Sequence, residues 1–501
     1  MHKLTQTAIA LAASLVTALT PVAAGAAALD LNLPSLGSTA DAGLSPQDEF
    51  RLGTELMAQV RADPTFLSDP EITEYLGRLG YQLVSHARTS TYGFFFFPIR
   101  DETLNAFALP GGYIAVHTGT IISAQSESEL AGVMAHEVSH VTQRHIARMI
   151  EGQRGNLALT LGSILLAILA ARAGGSSGGH AAAAIAMGSQ AAMIQSQLNY
   201  SQNAEREADR MGIATLYNAG FDPRGMEEFF SRLQSNNRYY RSAAPAYLST
   251  HPLTVERMAD MENRTRQLPA RIHSDSPDFG LIQVRARVLQ ETNWDGWSRV
   301  KKDFERDLAS VRGARACTLQ YGISVAEGEM KRPEAAYAAA KASVRCGIRS
   351  AVLERNLNRT RFDAAKSRAD KLAALADAKA SLSRYPLSAM MAESYVDMLY
   401  ELGRHEELIA YLRSGVALSD ASSDYHALLA RSYEALGRRS LQYMHTGEMY
   451  ARIGATEAAI YQYGLAQKAN DGDYYVMSEI DARLRDLRRQ FENEKKDAAI
   501  R

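Results

Sequence analysis

Residues 136–140 read His-Glu-Val-Ser-His, two imidazoles four positions apart with a carboxylate beside the first. On a helix that spacing stacks both rings on one face, about one turn apart, so both can meet one metal ion. Glu137, between them, points at a water held by that ion and can take its proton. Zinc used for hydrolysis needs a third protein ligand and an open fourth position for the water. The run Glu205-Arg206-Glu207-Ala208-Asp209 offers the missing ligand: Glu205 is the expected donor. Asp209, one turn on, can accept a hydrogen bond from a ligand histidine and fix its tautomer. Glu207 lies on another face of the same helix. A third run, His251-Pro252-Leu253-Thr254-Val255-Glu256-Arg257, holds two donors, His251 and Arg257, able to face a developing oxyanion. The expected site is therefore Glu137, His251 and Arg257 as catalytic groups, His136, His140 and Glu205 as ligands of one Zn2+ per chain, and Asp209 behind them.

These residues need helices to carry them. Residues 126–151 read as one helix, opened by a Ser126–Glu129 capping box and continued by Leu130, Val133, Met134, Val138 and Val141 at helical spacing. A second helix spans 205–218 and ends at Gly220; a third spans 223–233. Upstream, Ser45-Pro46 and Asp69-Pro70 each read as a helix start. Residues 92–98 form a short aromatic strand, and 105–118 hold two strand-like pieces around the turn signal Pro110-Gly111-Gly112. Residues 157–171 are almost wholly apolar and lead into a Gly/Ser-rich stretch. Fifteen residues are short of a bilayer span, which leaves a buried helix or a mobile lid that touches substrate or membrane.

The remaining composition narrows the class. With 55 Lys+Arg against 56 Asp+Glu the chain lacks the basic excess of a nucleic-acid binder. Two cysteines, Cys317 and Cys346, are too few for a disulfide scaffold or a Cys-based zinc ribbon; one bridge or two small buried side chains both fit. The first 28 residues carry a positive Lys3, an apolar stretch from Ala8 to Leu19 and several A-x-A sites, the pattern of a cleaved export signal. From about Phe279 the chain turns to Ala-, Leu-, Tyr- and Arg-rich helices. Leu402-Gly403-Arg404 recurs as Leu436-Gly437-Arg438, 34 positions on, the period and residue types of a tetratricopeptide repeat. Residues 483–496 read as a charged capping helix.

Three motifs together resemble a known family. Ala131–Val141 (A-G-V-M-A-H-E-V-S-H-V), Asn203–Asp209 (N-A-E-R-E-A-D) and the T-H-P-L-x-x-x-R run from Thr250 to Arg257 look like gluzincin peptidases of the HtpX and CAAX prenyl endopeptidase type. The stretch Asn105, Ala106, Phe107, Ala108, Leu109 also matches that family's edge strand. Those relatives span membranes several times, whereas this chain has an export signal and repeats, which resembles the periplasmic branch of β-barrel assembly-enhancing proteases. The resemblance implies a mostly helical α+β metalloprotease domain with a small sheet, followed by an all-α tetratricopeptide-repeat solenoid. In residue numbers this gives a signal peptide at 1–28, a protease domain at 29–272 with a mobile segment at 157–200, and a repeat domain at 273–501. It implies a zinc endopeptidase of the periplasm with a chaperone-like part in outer-membrane protein assembly. Substrates would be unfolded or stalled outer-membrane proteins, paired as extended chains along an exposed edge at Asn105, Ala106, Phe107 and Ala108. The repeats would meet the β-barrel assembly machinery, with a peripheral membrane contact and no nucleic acid. It also sets His251 near the metal, either as a resting fourth ligand or as an oxyanion donor only. A different class also fits: a repeat adaptor or chaperone whose metal site stays largely latent.

Overall fold

A computed structural model of the chain describes residues 44–87, 93–152, 201–239, 246–415 and 423–500. The export-signal and 157–200 segments lie outside the described residues. Helix α1 (Pro46–Ala62) starts where Ser45 accepts the Asp48 N–H, and α2 (Pro70–Val84) where Asp69 accepts the Ile72 N–H. In each a proline fills the first helical position, where no N–H is needed. Three short strands follow: β1 (Phe95–Ile99), β2 (Ala106–Leu109) and β3 (Tyr113–His117). The sheet order is β1-β3-β2, with β3 parallel to β1 and antiparallel to β2, so β2 is an edge. A short helix α3 (Thr118–Ser123) leads to α4 (Glu127–Thr142), the helix that carries His136, Glu137 and His140.

Every residue of α4 from Glu127 to Val141 is buried. An all-round buried helix is a core element rather than an amphipathic surface one. It lies among α2, β2, α6 (Gln202–Asn218) and α7 (Arg224–Tyr239). The crossing with α7 is close: a Cβ at Gly132 would come within 2.7 Å of the Met226 Cα, so only glycine fits. Ser126 caps the helix as expected, accepting the Glu129 N–H. The Glu129 carboxylate instead accepts the Gln125 N–H and a two-pronged Arg232. The single helix expected over 126–151 is two. It stops at Thr142, Arg144 turns left-handed at φ 51°, and α5 (His145–Gly152) sets off in a new direction. The turn is tied down by the Arg144 side chain, which donates to Glu49 and to the Leu44 carbonyl. Two more helices, α8 (Ala246–Thr250) and α9 (Val255–Gln267), complete this half.

Twelve helices follow among the described residues: α10 (Pro277–Leu289), α11 (Trp294–Leu308), α12 (Gly313–Glu329), α13 (Pro333–Ser343), α14 (Ala351–Ala364), α15 (Arg368–Arg384), α16 (Ala389–Glu401), α17 (His405–Arg413), α18 (Ser423–Ala435), α19 (Arg439–Arg452), α20 (Thr456–Ala469) and α21 (Tyr474–Ile500). The 34-residue spacing seen in the sequence holds for helix starts, 389 to 423 and 405 to 439. Gly403 and Gly437 adopt φ 71° and 70° at the helix ends. In each turn the following arginine N–H reaches the carbonyl five residues back, Arg404 to Leu399 and Arg438 to Tyr433. That is the Schellman closure, which needs a residue without Cβ strain at its left-handed position. The charged helix expected at 483–496 is part of the longer α21. Cys317 on α12 and Cys346, between α13 and α14, are joined as a disulfide. No helix of the described residues is long and apolar enough to cross a membrane.

The helical half is fastened to α2 by buried charges. Asp69 accepts both prongs of Arg285 from α10. Glu71 accepts Arg355 from α14 and the Tyr321 hydroxyl from α12, with Arg285 2.9 Å away. Glu74 accepts the Ser388 hydroxyl and the Met390 N–H at the start of α16.

Candidate metal centre

His136 and His140 leave α4 on the same face, and their Nε2 atoms come within 3.0 Å of each other. Glu205, on the first turn of α6, faces both. Its Oε2 is 3.5 Å from His136 Nε2 and its Oε1 is 3.4 Å from His140 Nε2. α6 starts where Ser201 accepts the Ala204 N–H, and this sets Glu205 at the mouth of the cluster. His251, just beyond α8, places Nδ1 2.9 Å from Glu205 Oε1. One ligand atom from each of His136, His140, Glu205 and His251 lies within 4.8 Å of the others, and all four residues are buried. Imidazole nitrogens and carboxylate oxygens converge here on one buried point. That donor set fits zinc in number and type.

The partners behind the donors are in place. Asp209 Oδ1 lies 3.1 Å from His136 Nδ1. Arg257 donates Nε and Nη2 to Asp209, each at 2.7 Å, and Nη1 to the Pro252 carbonyl at 2.8 Å. Its Nη1 is also 2.7 Å from Glu205 Oε2. The Arg257 guanidinium therefore lies against both acids, Asp209 and Glu205. Burial disfavours the charged forms of Glu205 and Asp209, but His251, His136, His140 and Arg257 outweigh it and hold both well within the ionised range. Glu137 differs: burial raises its pKa above the usual carboxylate range, against the pull of His251 and His136. A buried carboxylate with raised proton affinity beside the cluster is suited to take a proton.

The edge strand differs from the expectation of exposure. Ala106, Phe107, Ala108 and Leu109 are each at most 1% exposed. Asn105 lies before the strand. Its N–H is taken by Thr120, its carbonyl by the His117 N–H and the Thr120 hydroxyl, so its backbone is closed to a peptide. Phe107 pairs with Ala115 and packs its ring with Leu56 and Met57. In an antiparallel pair the backbone groups alternate between partner and open side. Ala106 and Ala108 take the open side, and the Ala108 amide faces the Glu137 carboxylate. Just before the strand, the Leu104 carbonyl accepts the Tyr247 N–H from α8.

Two residues here escaped the sequence reading. The Tyr247 hydroxyl donates to Glu137 Oε1 at 3.4 Å, and its ring stacks on His251 at 4.5 Å. Its signal was weak: a tyrosine four positions before His251 on a helix of five residues. The other is His145, whose Nδ1 is 2.9 Å from His140 Nδ1. It was hidden because a continuous helix would turn it away from the site.

Residues 70–265, which hold every residue of the cluster, match the model of peptidase family M48. Among individual proteins it is similar to a "Putative beta-barrel assembly-enhancing protease" of Vibrio cholerae, 39% identical over 60% of this chain and 61% of the relative. It is also similar to the "Beta-barrel assembly-enhancing protease" of Escherichia coli O157:H7, 40% identical over 58% of each chain. That of Yersinia pestis is 38% identical over 53% of this chain and 54% of its own. The chain thus matches little more than half the length of these curated relatives.

Proposed function

We propose that this protein is a zinc-dependent endopeptidase of the bacterial envelope that degrades misfolded or stalled β-barrel precursors. The observation that carries the chemistry is the convergence of His136, His140, Glu205 and His251 beside Glu137. His136, His140 and Glu205 would hold zinc, which when bound acidifies a water and polarises the scissile carbonyl. Glu137 receives the proton and passes it to the leaving amine. Asp209 orients His136, and Arg257 acts one layer further out, keeping Asp209 and Glu205 ionised and aimed. His251 would be the fourth ligand in a resting form, with the Tyr247 hydroxyl donating to Glu137. In the working form His251 would instead donate to the oxyanion.

The substrate class follows from the edge. Ala106 and Ala108 turn their open-side backbone groups toward an extended chain next to Glu137. Recognition through backbone bonds makes little demand on side chains and suits unfolded strand-forming clients. The names of the relatives support that class, and the helix pairs of 34-residue period support a tetratricopeptide domain that meets assembly partners. The adaptor reading is favoured by one observation, the complete burial of the cluster, which fits a site held latent until a client arrives.

Glu137→Gln tests the reading. The variant should keep one zinc per chain and lose cleavage of an unfolded protein such as casein by at least about 10²–10³-fold, the scale of a lost proton-transfer group. Cleavage at the wild-type rate, with contaminants excluded, would show that Glu137 is not the base.

A further inference from the structure

The second histidine of the cluster has a partner of its own outside the expected site. His145 is five residues beyond His140, and on a continuous helix at about 100° per residue it would lie roughly 140° around the axis. The left-handed Arg144 breaks that geometry. α5 restarts at an angle that brings the two rings to 4.8 Å, nearly perpendicular, with Nδ1 2.9 Å from Nδ1. The other nitrogen of His145, Nε2, lies 3.2 Å from Glu207 Oε2. The same oxygen accepts Arg148 Nη2 at 2.8 Å. His145 is buried, and Glu207 is held by both His145 and Arg148. Glu207 is thus a fixed partner rather than a solvated face of α6.

One arrangement of hydrogens fits these distances. His140 turns Nε2 to the cluster, so a neutral ring carries its proton on Nδ1. Nδ1 of His145 faces that proton and accepts it. His145 then carries its own proton on Nε2, where Glu207 accepts it. Each ligand histidine is backed by an acid: His136 directly by Asp209, His140 through His145 by Glu207.

We propose that His145, anchored by Glu207, is a positioning residue that fixes the tautomer and ring orientation of His140 and so sets zinc affinity. The proposal rests on the reading of His140 as a zinc ligand. The test is zinc affinity of the purified protein by competition with a chelator, independent of peptide cleavage. His145→Phe, which keeps the ring volume and removes the acceptor, should bind zinc about 10–100-fold more weakly, the range for lost outer partners of metal ligands. His145→Asn, whose amide oxygen can accept near the Nδ1 position, should recover most of that loss. Glu207→Gln, at a half-buried position, is the variant to rely on if His145→Phe does not fold; it should weaken zinc by a smaller factor, about 3–10-fold. In imidazole 15N spectra of the zinc-loaded wild type, His145 should show a protonated Nε2 and a bare Nδ1. Wild-type affinity in folded His145→Phe and Glu207→Gln, equal losses in the Phe and Asn variants, or a proton on His145 Nδ1 would each overturn the proposal. A wild-type protein that binds no zinc would instead overturn the metal site itself.

Discussion

Two networks of buried charge divide this molecule, and they are built from the same parts. Around α4 and α6, His136, His140, Glu205, Asp209 and Arg257 interlock; between α2 and the helical half, Asp69, Glu71, Arg285, Arg355 and Tyr321 do. In the second, each acid meets protein donors from the far side and the account closes: Arg285 and Arg355 answer Asp69 and Glu71, and Tyr321 caps the remainder. In the first, one possible ligand atom from each of His136, His140, Glu205 and His251 also converges within 4.8 Å of the others. Burying charge is costly unless it is paired or coordinates a metal. The second network joins elements of the fold; the first gathers a donor set that a metal ion fits.

The sharpest way to break this comparison is Glu205→Ala. It should remove zinc almost entirely, measured by metal analysis, while the far-ultraviolet spectrum stays that of a folded helical protein. Full zinc occupancy would place the third ligand elsewhere. Glu71→Ala should do the reverse. Leaving Arg285 and Arg355 buried beside a missing acid should cost about 3–5 kcal/mol in denaturant unfolding, with zinc binding unchanged in the protein that remains folded. A loss below about 1 kcal/mol would show that the fastening contributes little to stability.

Acid should separate the halves by degree. Burial alone would raise the Asp69 pKa, but the Arg285 charge and hydrogen bonds, with the Ile72 N–H, outweigh it and hold it below the ordinary value. Because the folded pKa is the lower one, the stability Asp69 contributes is complete above about pH 4 and drains away as the pH falls through the folded value. Asp69→Asn should therefore flatten the acid limb of a stability-against-pH curve, and an unchanged limb would remove Asp69 from the cause. The smallest effect is expected at Gly403, where φ 71° disfavours a side chain. Gly403→Ala should cost about 1–2 kcal/mol, seen as a lowered unfolding midpoint, without touching zinc.

The same contrast explains what could be read from the chain. Two of the residues that could hold a metal sit within one pentapeptide and the others in compact downstream motifs, because helical spacing converts sequence distance into facing side chains. The short strands, the 34-residue helix period and the capping serines 45 and 126 were legible for similar local reasons. The fastening was not, since Glu71 meets Arg285 and Arg355 across 214 and 284 residues and no periodicity links them. The contacts of Arg257 were not legible either: only the distances show its guanidinium against Asp209 and Glu205. His145 was lost to a single backbone angle at Arg144, an arginine in a region that side chains seldom enter.

The buried sheet edge has a further consequence. An open strand edge recruits any extended chain, including a second copy of the same protein, and sheets that cannot hide their edges aggregate. Here β1 is closed by the Phe66–Ile99 bridge and by Pro98, which has no N–H to offer. β2 is only four residues long and faces the buried Glu137 carboxylate. Short length and an inward-pointing acid are devices that keep edges from sticking. The geometry that turns this sheet toward the cluster therefore also leaves another chain little edge to pair with.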